Sequence, residues 1–340
     1  MTRFRQRARA MLTTGFVACG VVVAPAIAVA AGADALANSV PTVFAPGVIS
    51  GPAHDSAPAF TPDGNTVYFT RSNTSQSVIS VSHKIGGNWS AAEIAPFSGE
   101  WNDMEPAMAP DGSYLIYISN RPAEGIDGKP VEATYNGATH PGGNLWRVDS
   151  KGSGWGRPVR LVDTVNTGPS TFAPSVASDG SLYFMTTDKQ SGKFRLYRAQ
   201  YRKGTYETAQ PLSFSDGSNT DVDPAVAPDE SFIVFASGRK PSRGMDLFIA
   251  FREGTTWGEP IHLGNVVNSP GSDAEPRLSP DQRTLYFSSE RVSPVNFPRT
   301  REQAQKDTQR LQSWDNGNYN IWRISLAEWL DSRRDPHLQH

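Results

Sequence analysis

Five copies of a Pro-Asp-Gly-like turn, each entered through a matching Pro-containing run and followed by strand-forming segments, predict an all-β chain folded as a β-propeller of four-stranded antiparallel blades. The turn aspartates Asp63, Asp111, Asp179, Asp229 and Asp281 are spaced 48, 68, 50 and 52 residues apart, which is the length of one blade. An aromatic-Pro-aliphatic segment precedes the first copy and none follows the last, so the N-terminal strand is expected to close the ring. Five blades are expected, with six as the alternative.

The chain begins with Arg3, Arg5, Arg7 and Arg9, an apolar run from Met11 to about Ala30, and small-residue sites at Ala28-Val29-Ala30 and Ala35-Leu36-Ala37. This pattern predicts a signal peptide over residues 1–30, with cleavage as late as residue 37, and hence a periplasmic or secreted protein. An uncleaved anchor is the weaker reading, because Ala, Gly and Pro25 dilute the run. No membrane span is expected after cleavage. Cys19, the one cysteine, falls inside the run, so the mature chain is expected to lack thiols and disulfides. The 340 residues carry 32 Lys and Arg against 34 Asp and Glu. Loss of four Arg leaves a net charge of −6, which offers nothing to neutralise a nucleic acid.

The repeat is legible residue by residue. Its entry reads Ala57-Pro58, Glu105-Pro106, Ala173-Pro174, Asp223-Pro224 and Glu275-Pro276, each leading to the turn. Proline and glycine at their turn positions join two antiparallel neighbours. After the turn come β-branched and aromatic runs such as Val67-Tyr68-Phe69, Leu115-Ile116-Tyr117-Ile118 and Leu285-Tyr286-Phe287. A third strand follows at Leu145-Trp146, Leu196-Tyr197, Leu247-Phe248 and Ile321-Trp322, and a fourth carries an aromatic, then Pro, then Leu at Trp155-Gly156-Arg157-Pro158 and Trp257-Gly258-Glu259-Pro260. Residues 43–49 have the look of that fourth strand. One propeller domain over 41–326 and a tail over 327–340 are therefore expected.

The run over residues 273–291, Asp-x-Glu-Pro-x-x-Ser-Pro-Asp followed by Leu-Tyr-Phe-x-Ser-x-Arg, resembles the WD-like repeats of the TolB-like β-propeller family. The resemblance covers nearly all of the chain after the leader. It implies the propeller fold; that family has six blades and its eponym an added α/β domain, whereas five repeats and no such domain are expected here.

Comparing the five units with one another singles out carboxylates. Glu105, Asp223 and Glu275 precede the entry proline in units two, four and five, and Arg121, Arg239 and Arg291 end the second strand of the same units. Regular antiparallel pairing would make each acid and its Arg neighbours, so three structural ion pairs are expected: Glu105 with Arg121, Asp223 with Arg239, Glu275 with Arg291. An adjacent Arg lowers a carboxyl pKa, which is wrong for a catalytic acid. Asp103, Asp221 and Asp273, two residues earlier, have no such co-varying partner and are the catalytic candidates if the chain is an enzyme.

Residues 122–143 of unit two and 292–318 of unit five are insertions between the second and third strands, expected on the acid-bearing rim and flanking blade one. A short polar helix is expected at residues 303–311. Trp101, Trp314 and Phe297 fit no repeat position. They either pin their loops or form a platform for a peptide or sugar. No zinc spacing, EF-hand loop, nucleophile elbow or phosphate loop is present, so neither metal nor cofactor is expected. The reading is an exported, monomeric binding module for an envelope protein, peptide or glycan on the insertion face. A glycoside hydrolase or polysaccharide lyase is the alternative.

Overall fold

The computed structural model describes residues 40–123, 128–135, 137–152 and 154–333. The leader with Cys19 and the end of the tail lie outside the described residues. Five antiparallel sheets form five blades of a β-propeller. Their inner strands are His54–Phe60, Asp103–Met108, Thr171–Val176, Asp221–Val226 and Asp273–Leu278. Each pairs through the Pro-Asp-Gly corner with a second strand: Thr66–Ser72, Tyr114–Ser119, Leu182–Thr187, Phe232–Ser237 and Thr284–Ser289.

The corners fold as their residues dictate. In each one the aspartate side chain accepts the backbone N–H two residues on: Asn65, Ser113, Ser181, Ser231 and Arg283. The residue after the aspartate is left-handed throughout. Gly64, Gly112 and Gly180 hold this position at φ 67°, 74° and 82°, while Glu230 and Gln282 hold it at 58° and 61°.

The ring closes with the N-terminal strand. Thr42 pairs with Arg323 and Val43 with Trp322, and the Phe44 N–H donates to the Ile321 carbonyl at 2.7 Å. The expected closing segment is thus displaced slightly toward the N-terminus. From Ala45, at φ 45°, the chain turns away and buries Ile49 completely.

Aromatic side chains fill the spaces between blades. Phe44 on the closing strand meets Phe60, Trp89 and Tyr286, joining blades five and one. Trp155 lies edge-on to Tyr68 and donates its indole N–H to the Tyr68 hydroxyl at 3.1 Å, joining blades one and two. Trp257 meets Tyr183 between blades three and four. Each such ring pair contributes about 0.5–1.5 kcal/mol beyond its buried area.

The described residues of both insertions carry regular elements. That of blade two forms the hairpin Glu132–Tyr135 and Ala138–Pro141. Tyr135 packs on Phe172 and Phe194, so the hairpin leans over blade three rather than flanking blade one as its position in the repeat suggests. Gly142 and Gly143 permit this, since a Cβ on Gly142 would sit within 3.0 Å of the Pro169 carbonyl oxygen and one on Gly143 within 3.0 Å of the Ile118 and Phe172 side chains. The insertion of blade five carries the helix Arg301–Leu311, opened by a Thr300/Gln303 capping box. It docks on the start of blade one, where Asn316 and Asn318 donate to the Pro52 carbonyl and the Tyr319 N–H donates to His54 Nδ1.

Candidate functional site

The site follows from an irregularity repeated in all five inner strands. The pairing register breaks between Ser56 and Ala59, Met104 and Ala107, Phe172 and Ser175, Val222 and Ala225, and Ala274 and Arg277. The residue before the entry proline is left-handed in every blade: Ala57, Glu105, Ala173, Asp223 and Glu275 at φ 48°, 51°, 50°, 56° and 48°. These are β-bulges, which take a residue out of the ladder and re-aim its side chain.

The bulge overturns the expected ion pairs. Arg239 bonds Asp221 at 2.7 Å and Arg291 bonds Asp273 at 2.9 Å, in place of Asp223 and Glu275. In both blades a serine opposite the aspartate, Ser237 or Ser289, accepts from the Arg Nε. Arg71 makes the corresponding pair with Asp55 in blade one, at 2.7 Å. Arg121 reaches Glu100 at 3.2 Å rather than Glu105, and it stands near Asp103, whose buried carboxyl is pushed up by desolvation and held back by Ser119, Ser98 and Gly99. Asp103, Asp221 and Asp273, the acids expected to be free, are therefore the engaged ones.

Glu105, Asp223 and Glu275 instead turn to the central channel. They lie on blades two, four and five, yet Glu105 feels the charge of both others, as only residues facing one axis can. Burial, then the neighbouring carboxylates, push Glu105 well above the ordinary carboxyl range. Burial and Glu275 push Asp223 up to about 7. Arg277, itself buried, pulls both the other way.

These carboxylates also hold the ring together. The left-handed residue of each blade has an N–H that no longer faces its own sheet, and at four of the five junctions the preceding blade accepts it. Thr70 Oγ1 accepts from Glu105 at 2.7 Å, and Ser288 Oγ accepts from Ala57 at 3.4 Å. In blades two and four the corresponding second-strand positions are Ile118 and Ala236, which have no acceptor. There the acid substitutes: Glu105 accepts from Ala173, and Asp223 Oδ2 from Glu275 at 3.1 Å. Ser288 completes the pattern by donating to Glu275 Oε2 at 2.7 Å.

Two tyrosines, Tyr135 on the blade-two insertion and Tyr319 directly after the blade-five insertion, stand near these carboxylates. Tyr135, stacked on His140, feels Glu105; Tyr319 feels Glu275 and Asp223. Neither stood out in the sequence, because the folds of the insertions beside them decide where they stand. The three expected platform rings are separate. Trp314 is half-buried edge-on to Trp322 against blade five's core, Trp101 is half-buried before Asp103, and Phe297 is 76% exposed on the blade-five insertion. No ring contact joins any two of them among the described residues. The described residues hold no group of three or more acidic, His or Cys side chains able to bind a metal.

No protein-family model and no curated protein matches this sequence. Several solved structures resemble the chain in fold. The chain is similar to TolB proteins. It matches TolB from Acinetobacter baumannii at 15% identity and a TM-score of 0.46, over 80% of this chain and 54% of that one. It matches a putative TolB from Agrobacterium tumefaciens at 15% identity and a TM-score of 0.47, over 81% and 91%. A thermostable family-43 glycoside hydrolase matches at 11% identity and a TM-score of 0.47, over 69% and 83%. The chain thus spans about half the length of the first TolB and most of the second. A TolB-like architecture at these identities concerns the fold, and function has to be argued from the site itself.

Proposed function

We propose that the chain is an exported propeller that binds a protein or peptide segment of the cell envelope through its insertion face. The carrying observation is the blade-five insertion, which is firmly built yet presents apolar side chains to solvent. Ion pairs of Arg299 and Arg310 with Asp307, and of Arg310 with Asp315, brace it. Phe297 is 76% exposed, Val292 54%, Val295 42% and Leu311 57%, and no residue of the helix is buried. Ordering a long loop costs conformational entropy, and exposed apolar groups on an ordered loop mark an interaction surface. Export rests on the Arg-led apolar leader. No helix among the described residues is long and apolar enough to cross a membrane.

Two observations weigh against hydrolysis. Asp221 and Asp273 are bonded to Arg, which suits neither a general acid nor a free nucleophile. The carboxyls with raised pKa are sealed from solvent: Glu105 and Asp223 spend oxygens on the next blade's N–H groups, Asp103 accepts from Ser98 and Gly99, and Asp55 is bonded to Arg71. A glycan is disfavoured because the half-buried Trp314 packs edge-on against Trp322, away from Trp101 and Phe297.

The test is a photo-crosslinking residue placed at Phe297 and, as control, at Asp63 on an exposed turn of the opposite face, in cells that make the full chain. The reading expects a discrete protein adduct from position 297 alone. Equal adducts from both positions, or none from 297, would refute it.

A further inference from the structure

Arg277 stands at a repeat position that Ala59, Ala107, Ser175 and Ala225 fill in the other blades. Four small side chains leave space at the axis, and one long side chain reaches toward it. The result is a pocket of ≈160 Å³ lined by all five residues and walled by Phe60, Met108, Val176, Val226 and Leu278. It opens among the Pro-Asp-Gly corners, since Pro62, Pro110, Pro228 and Pro280 also line it. This is the end of the channel away from the insertions.

The chemistry of the pocket is set by Arg277, which is 6% exposed. Its Nη1 donates to the Pro276 carbonyl at 2.8 Å, while Nε and Nη2 have no hydrogen-bond partner among the described residues. Those two donors share one edge of the guanidinium, the edge that a carboxylate meets with two parallel bonds. Burying such donors unpaired is costly, so the position favours an acceptor that arrives from outside. The channel carboxylates offset the charge without forming an ion pair to it among the described residues. Burial raises the pKa of two of them, which leaves the cation only partly neutralised.

We propose that this pocket binds a small apolar carboxylate, with the carboxylate on the Nε/Nη2 edge of Arg277 and the hydrocarbon body against the aliphatic wall. That edge is covered in the resting position, so entry turns the guanidinium toward the space the small neighbours leave. An apolar cavity of about 150 Å³ accepts benzene, so a benzoate- or isovalerate-sized body fits. The same chemistry is offered by a free acid and by the apolar C-terminal residue of a peptide.

The experiment is calorimetry and thermal unfolding of the full mature chain with benzoate and isovalerate, against benzamide and isovaleramide. A leucine-ended tripeptide with a free or amidated C-terminus forms a second arm. The acids are expected to bind and to raise Tm, the amides to do neither. Arg277→Met is expected to weaken the acids roughly tenfold or more. Met108→Trp, which narrows the pocket and leaves Arg277 in place, is expected to do the same and serves if Arg277→Met does not fold. Tighter binding of the free-terminus peptide than of the acids assigns a peptide terminus as the source, and the reverse assigns a free acid. Equal response to acid and amide, no response to any acid, or unchanged binding in Met108→Trp would overturn the proposal.

Discussion

Asp223 Oδ2 accepts the backbone N–H of Glu275 at 3.1 Å, so a carboxylate of blade four holds the left-handed residue of blade five. The bond spans a blade junction where the second strand offers Ala236 in place of a hydroxyl. Asp223→Asn keeps an acceptor there, whereas Asp223→Ala strands a buried N–H. The alanine variant is expected to lose about 1–3 kcal/mol and the asparagine variant less, by chemical denaturation.

The same residue makes stability depend on pH. Its folded pKa is raised to about 7 from 3.8, so between those values the folded chain binds more protons than the unfolded chain. Stability from this group is therefore greatest below the unfolded value and falls as pH rises toward 7. Denaturation midpoints measured across that window should fall with pH, and Asp223→Asn should flatten the slope. An unchanged slope would mean that Asp223 titrates normally.

The rim arginines should separate by partner. Asp221 is 1% exposed and Arg239 15%, so Arg239→Ala leaves a buried carboxylate with Ser237 alone and should cost about 2–4 kcal/mol. Glu100 is 79% exposed, so Arg121→Ala should cost about 1 kcal/mol, chiefly its contact with the Trp146 ring. Equal losses would contradict the pairing described.

Left-handed backbone at the corners gives a stabilising substitution. Gln282 holds at φ 61° the position that glycine occupies in three other blades, so Gln282→Gly should raise stability by about 0.5–1 kcal/mol. Glu230→Gly should not, because Glu230 accepts from both Tyr183 and Arg198. Thermal unfolding of the two variants side by side checks the contrast.

The blades, the corners and the closing strand were legible because each is written several times over in one sequence, and a repeat acts as its own alignment. The acid partners were not, because regular antiparallel register was assumed where every inner strand inserts a bulge residue. A signal existed: blades two, four and five have Asp and Arg where blade three has Thr171 and Asp188, and blade one keeps Asp55 with its Arg at position 71 instead of 73. Arg277 was legible in the same way, as one Arg among four small residues, but only the closed ring shows that this position faces the axis. Tyr135 lies in an insertion and Tyr319 directly follows one, and insertions have no second copy to be compared with.

Binding through the blade-five insertion is tested by the dissociation constant of the protein captured at position 297, measured for the wild-type chain and for Phe297→Ser. Phe297 is 76% exposed, so folding stability should change by no more than about 0.5 kcal/mol. Affinity should fall roughly tenfold or more with that stability intact. Equal affinity for the two chains would contradict the assignment of this face as the binding surface.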